Sequence, residues 1–173
     1  MRLVFLVFFA FGLTKINAKF EFKNAKCTSL DKSFLEFDGC YLKSVNRTYK
    51  YITVKTKIFK LPLKSLSVNI ELFKRLNGYK PFLFNFTVDA CRFLANHRNS
   101  FNQYFYDLIG PYSNVNHSCP INHDIIVDKL PIAYLNHMVT TVLPMPEGTY
   151  CMHSVWSANG KERVDMNIFF SIE

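Results

Sequence analysis

The chain has 173 residues, 49% of them hydrophobic and 20% charged, with a formal net charge of +8. That length suits a single domain with a sizeable core. No internal repeat, low-complexity segment or linker divides it, which excludes a multidomain arrangement.

The chain opens "MRLVFLVFFAFGLTKINAK". Arg2 supplies a positive n-region, Leu3 to Leu13 is an unbroken apolar run, and Ala18 is a small residue at a cleavage point. The run is shorter than the roughly 20 apolar residues that a membrane span needs. Residues 1–18 therefore read as a secretory signal peptide, and residues 19–173 as one soluble, extracellular domain with no transmembrane segment. Three Asn-X-Ser/Thr sequons, at Asn46, Asn85 and Asn116, agree with the secretory route and place these side chains at the surface as glycosylation sites. In an oxidising compartment most of the five cysteines, 27, 40, 91, 119 and 151, should be paired, although spacing does not select the partners.

Period-two alternation dominates the chain from residue 20 onward. Strands are expected near 20–27, 34–45, 48–59, 65–74, 81–90, 124–130, 134–142, 149–157 and 163–172. In "YITVKTKIF", Ile52, Val54 and Ile58 share a face; in "LSVNIELF", Leu66, Val68, Ile70 and Leu72 do. In "FLFNFTVDA", Phe82, Phe84, Phe86 and Val88 point one way, with Asn85 on the polar side. Helical period is clear once: Phe101, Tyr104, Phe105, Leu108 and Ile109 recur at i, i+3, i+4, i+7 and i+8. A helix over Ser100–Ile109 follows, capped by Asn99 or Ser100 and stopped by Gly110-Pro111. In "RVDMNIFFSI", Val164, Met166, Ile168, Phe170 and Ile172 share a face. Asn77-Gly78 and Asn159-Gly160 signal hairpin turns. With a two-residue turn at Asn159-Gly160, Cys151 stands opposite Ile168 and faces the core. A bulge would turn it outward, and both registers stay open. The expected fold class is all-β: an immunoglobulin-like two-sheet sandwich of 8–9 antiparallel strands with one short amphipathic helix.

One stretch, "NHSCPINHD" at 116–124, has the vocabulary of chemistry. His117, Cys119, His123 and Asp124 are residue types that bind zinc. An oxidised Cys119 is neither a thiolate ligand nor a nucleophile, and no Cys-X-X-Cys pair stands nearby. No Gly-X-Ser-X-Gly elbow is present. The expectation is an anchored loop with no metal, no cofactor, no catalytic residue and no enzymatic activity.

Several segments, "FEFKNAKCTSLDKSFLEFDGCYLKSVNR", "GYKPFLFNFTVDACRFL", "SNVNHSCPINHDIIV" and "LPMPEGTY", resemble an insect secreted family of unknown function that includes the CheB chemosensory proteins. That family is distantly similar to the ML lipid-recognition proteins, such as the ganglioside activator and lysosomal sterol carriers. The resemblance implies an ML-like sandwich whose sheets splay to admit an acyl chain or sterol, and a role in pheromone perception. It also implies that Cys91 pairs with Cys119 around the helix, and that Cys27 and Cys40 lie on the first two strands. Cys151 departs from the commonest pattern, so Cys27 and Cys40 pair with each other or one of them bridges to Cys151.

With 18 phenylalanines and nine tyrosines, the interior can be a filled aromatic core or an apolar cavity. If a cavity, its candidate lining is the inward sets Ile52 and Val54; Val68 and Ile70; Phe82, Phe84 and Phe86; and Met166, Ile168 and Phe170. Phe101, Phe105 and Leu108 of the helix would close one end. The lysines at 50, 55, 57, 60 and 64 lie on polar strand faces and read as a solvated surface or as an attraction to acidic head groups. The expected partners are a small apolar ligand (lipid, cuticular hydrocarbon or pheromone) and a membrane receptor or acidic cell surface, with no nucleic acid. The alternative is a secreted protein-interaction module with a solid core, acting through its surface.

Overall fold

A computed structural model describes residues 18–142 and 144–173. The expected leader lies outside the described residues except for Ala18. Eight antiparallel strands form two sheets: β1 (Phe20–Ser29), β2 (Leu35–Ser44), β3 (Lys50–Ile58), β4 (Leu66–Leu76), β5 (Gly78–Asp89), β6 (Ile126–Pro131), β7 (Gly148–Ala158) and β8 (Lys161–Ile172). The larger sheet runs β1-β8-β7-β4-β5 and the smaller runs β2-β3-β6. The two-sheet sandwich is the architecture that the alternation predicts.

The hairpin chemistry follows local sequence. Asn159 (φ 52°) and Gly160 (φ 75°) form a two-residue turn, the left-handed pair that matches strand twist. At the other hairpin, Leu76 pairs directly with Gly78, whose φ is 87°. Just past the turn, a bulge in β8 leaves Arg163 without a partner on β7, so that Ser157 faces Glu162 while Trp156 faces Val164. That single extra residue puts Cys151 opposite Phe169 and away from the core. Both sequence alternatives are thus partly realised: the turn has two residues, and the bulge still reverses the cysteine.

Two departures concern helices. The expected strand 134–142 is instead α3 (Ile132–His137) followed by one π turn, Met138–Val142. Leu135, Met138 and Val139 are its buried positions, an i, i+3, i+4 spacing that outweighs the β-branched "VTTV". A second helix, α1 (Ala90–Asn96), continues directly from β5 because the Asp89 side chain accepts from the Arg92 N–H at 2.9 Å. The anticipated amphipathic helix is α2 (Ser100–Asp107); the cap is Asn99, accepting from the Asn102 N–H at 3.0 Å.

Cross-links hold the layers together. A Cys27–Cys40 disulfide joins β1 of the larger sheet to β2 of the smaller, and Cys91–Cys119 joins α1 to the segment before β6. Cys151 is free and buried, so the option of a bridge from Cys27 or Cys40 to it does not occur. Glu21 of β1 accepts from Lys50 of β3 at 2.6 Å, a second link between sheets. Arg163 pairs with Asp31 and lies over the Phe34 ring, 4.1 Å from its centroid.

The smaller sheet buries more than alternation suggests. Thr53, on the same face as Lys55 and Lys57, is 0% exposed, and Thr56, on the inward face with Ile52, Val54 and Ile58, is 3% exposed. Opposite Thr53, β6 bulges through Lys129 (φ 51°), whose N–H is met by the Thr53 hydroxyl at 3.0 Å. Thr56 Oγ1 accepts from the Ile125 N–H at 3.0 Å and donates to the Ile125 carbonyl at 2.9 Å. The hydroxyls replace ladder bonds, so burial costs them no unpaired group.

Candidate functional site

Buried side chains form two clusters. One is centred on Phe20, Leu72, Tyr150 and Phe170, the other on Phe34, Leu63, Ile121 and Val164. Between them lies a cavity of about 180 Å³. Its floor is the inner face of the larger sheet, with Val68 and Ile70 from β4, Met152 and Trp156 from β7, and Met166 from β8. Its roof is Phe93 and Leu94 of α1, Phe105 and Tyr106 of α2, and the segment through Val115, with Val127 of β6 at the side.

The cavity exists because two short helices stand where the smaller sheet does not reach. That sheet has three strands against five, so its β6 edge leaves the β4–β5 side of the larger sheet to α1 and α2. Two capped one- to two-turn helices cannot fill that width as closely as a strand would. The roof is nevertheless tied down. Tyr106 donates its hydroxyl to the Val115 carbonyl at 2.8 Å, Tyr134 donates to the Asp107 carbonyl, and the Cys91–Cys119 disulfide anchors α1. Burial pushes the Tyr106 and Tyr134 phenols above their ordinary range, and Tyr104 of α2 up to about 12, so all three remain hydrogen-bond donors at any physiological pH.

The lining is almost wholly apolar. Its few polar groups are mostly satisfied: Ser154 Oγ accepts from Trp156 Nε1 at 3.2 Å, and Ser113 Oγ accepts from the Val115 N–H at 3.1 Å. Asn102 differs. Its backbone is capped, but its carboxamide forms no hydrogen bond among the described residues, and it borders the cavity.

The residues expected to line a cavity separate into three groups. Val68, Ile70, Phe105, Leu108 and Met166 do line it. Ile52, Val54, Ile168 and Phe170 point inward but belong to the first buried cluster, where the sheets close on each other: Phe170 stacks on Tyr150 with centroids 5.4 Å apart and touches Phe20 at 5.0 Å. Phe84, Phe86 and Phe101 form a separate aromatic layer with Phe105, all centroids within 4.7 to 6.3 Å, and Phe82 packs on Tyr150. Phe101 is 45% exposed; the strand residues among them all point inward, and distance along the strand from the closed end separates lining from filling. Sequence reasoning missed Phe93 and Leu94, although Asp89 followed by apolar 90, 93 and 94 is a capped helical face. It also missed Met152 and Trp156, because Ser154 interrupts the alternation between them.

Asn46, Asn85 and Asn116 are exposed. Lys50 is engaged by Glu21 and Lys55 by Asp128 at 3.3 Å, whereas Lys57, Lys60 and Lys64 are exposed. Among the described residues no helix is long and apolar enough to cross a membrane, and no three His, Cys, Asp or Glu side chains converge as a metal-binding group.

The model of a family described as "Protein of unknown function (DUF1091)" matches residues 68–152, from β4 into β7, a span that includes both roof helices. Among solved structures, the chain is similar to a Niemann-Pick type C2 protein from Japanese carpenter ant, at 16% identity and a TM-score of 0.34, covering 88% of this chain and 89% of that one. No curated protein matches.

Proposed function

We propose that this protein binds a small apolar or amphiphilic ligand in the cavity between the larger sheet and the helices α1 and α2. The observation that carries the proposal is the cavity itself. Its apolar wall stands partly open to solvent, so an apolar molecule seated in it would take that surface out of water, worth roughly 25 cal/mol for each Å² covered. Water is a poor occupant there, because it needs two to four polar partners and the wall supplies almost none. A cavity of about 150 Å³ with such walls takes up apolar molecules. The bound molecule is of lipid, cuticular-hydrocarbon or pheromone chemistry, and Asn102 is the group that meets its polar end. A solid-cored interaction module has no comparable support.

The setting is also part of the proposal. The two disulfides and the three exposed sequon asparagines suit a secreted glycoprotein in an extracellular fluid. The motifs shared with the secreted insect family that includes the CheB proteins support a chemosensory role.

The test is titration of the full protein with a fluorescent fatty acid, beside a Val68→Phe variant that fills the cavity from its floor. Saturable uptake by the native chain and its loss in the folded variant are expected. Equal uptake by both, or none by the native chain together with recovery of ligand-free protein from its source by native mass spectrometry, sinks the proposal.

A further inference from the structure

The end of the sandwich that carries the β1–β2 and β3–β4 loops exposes large apolar side chains among cations. Leu30 and Phe59 are each 50% exposed, and Leu61 is 39% exposed. Single exposed apolar residues are ordinary, but these three are brought together. The Phe59 N–H donates to the Phe34 carbonyl at 2.8 Å, and the Leu30 N–H donates to the Arg163 carbonyl at 2.9 Å. Arg163 in turn pairs with Asp31 and covers the Phe34 ring, so the two loops are fastened to each other beneath their exposed tips. The β7–β8 turn joins them, with the Asn159 N–H donating to the Ser65 carbonyl at 3.3 Å.

The charge around the tips is mostly positive. Lys32, Lys60, Lys64 and Lys161 are exposed and form no ion pair among the described residues. Lys57 lies over the Phe59 ring, its nitrogen 5.9 Å from the centroid. Of the carboxylates in these segments, Asp31 is taken by Arg163 and Glu36 stands opposite Lys57 across the strands, which leaves Glu162.

We propose that this end of the molecule docks on an anionic phospholipid bilayer. Leu30, Phe59 and Leu61 enter the boundary between head groups and acyl chains, and the lysines meet the phosphates. Interfacial attachment needs two signals, buried apolar area and positive charge, and this surface carries both. Lysine stems lie along apolar surface while their ammonium groups stay at the charged level. A soluble protein partner would have to offer an apolar pocket and an acidic rim in matching positions; an anionic bilayer offers both over its whole area. The tips are also held out rigidly. Phe34 and Leu63 beneath them are each 2% exposed, and Leu63 exchanges both backbone hydrogen bonds with Ile121 at 2.8 and 3.0 Å. Little conformational entropy is therefore lost on docking. The surface is independent of the cavity reading, because it needs no ligand between the sheets.

The experiment is sedimentation of the full protein with phosphatidylcholine vesicles, with and without about 30% phosphatidylserine. Saturable binding to the anionic vesicles is expected, with weak binding to the neutral ones and a decline as salt rises. Lys60→Ala and Lys64→Ala should each weaken it about fivefold. Phe59→Ser/Leu61→Ser should weaken it about tenfold. Lys80→Ala, in the β4–β5 hairpin at the other end of β4, should leave it unchanged. Every substituted side chain is exposed, and an unchanged urea midpoint identifies the folded variants. The emission of Phe59→Trp, read as the difference from the native chain with its single Trp156, should move to the blue on addition of anionic vesicles. An unshifted emission means that only charge attaches the protein, and it overturns the proposal. So does full affinity in Phe59→Ser/Leu61→Ser, or no binding to anionic vesicles, which would leave the patch to a protein partner.

Discussion

Phe105 of α2 packs on Phe86 of β5, with ring centroids 4.9 Å apart, and also borders the cavity. One side chain therefore joins the aromatic layer to the roof. Replacing it by Ala should cost about 2 kcal/mol, below the roughly 3–5 kcal/mol of a fully buried Phe because the residue is only half-buried. The cavity would widen toward solvent. Urea unfolding should report the loss, and stopped-flow release of a bound fluorescent fatty acid should be faster than in the native protein.

Asn102 supplies the one lining carboxamide without a partner among the described residues. Asn102→Leu should weaken a ligand with a hydroxyl or carboxyl end by roughly fivefold, about 1 kcal/mol for one hydrogen bond. A plain alkane should bind at least as well as before. Parallel competition titrations with a long-chain alcohol and the matching alkane measure the difference; equal effects on both would show that Asn102 does not meet the polar end.

Glu21 links β1 to β3. The hydrogen bond from Lys50, then that from Lys23, hold its carboxyl down at about 2 against the opposing effect of burial. A carboxyl lowered in the folded state stabilises the fold above its ordinary value of 4.5, and that contribution is lost as pH falls from there toward 2. The pair is partly exposed, so the contribution is on the order of 1 kcal/mol. Glu21→Gln should flatten the stability profile between pH 4.5 and 2 without changing it below, as read by urea midpoints across that window.

Cys151 lies between Phe73 and Phe169 on the outer face of the larger sheet, with its sulfur 3.5 Å from Asn167 Oδ1. Burial pushes its thiol up to about 11. The native protein should therefore resist alkylation by iodoacetamide near pH 8, and label fully once unfolded. Rapid labelling of the folded protein would contradict the burial of Cys151.

The Cys91–Cys119 disulfide closes a sequence separation of 28 residues that contains both roof helices. The double change Cys91→Ala/Cys119→Ala should cost roughly 3.5 kcal/mol on the chain-entropy model. Hydrogen exchange should rise in residues 90–107 more than in β7 and β8, because only the roof loses its anchor.

Much of the sandwich was legible in the chain because its strands are half-buried: Val68, Ile70 and Leu72, or Ile168, Phe170 and Ile172, repeat with the period of the pleat. The candidate site was less legible. Ile70 and Ile168 carry the same signal in sequence, yet one lines a void and the other is packed solid. Thr53 reads as a solvent-facing residue until the bulge at Lys129 supplies its partner.

By themselves the residues determined the secondary-structure period, the turn at Asn159-Gly160, the helix carried by Phe105 and its neighbours, and the exposure of the sequon asparagines. Those properties arise within a few residues, where side-chain alternation and capping act. Which cysteines pair, which inward side chains border empty space, and that His117 and His123 meet at 2.9 Å were decided only by the tertiary structure. Each depends on the distance between segments remote in sequence, or on a bulge that shifts a whole strand's register, and no local pattern encodes those.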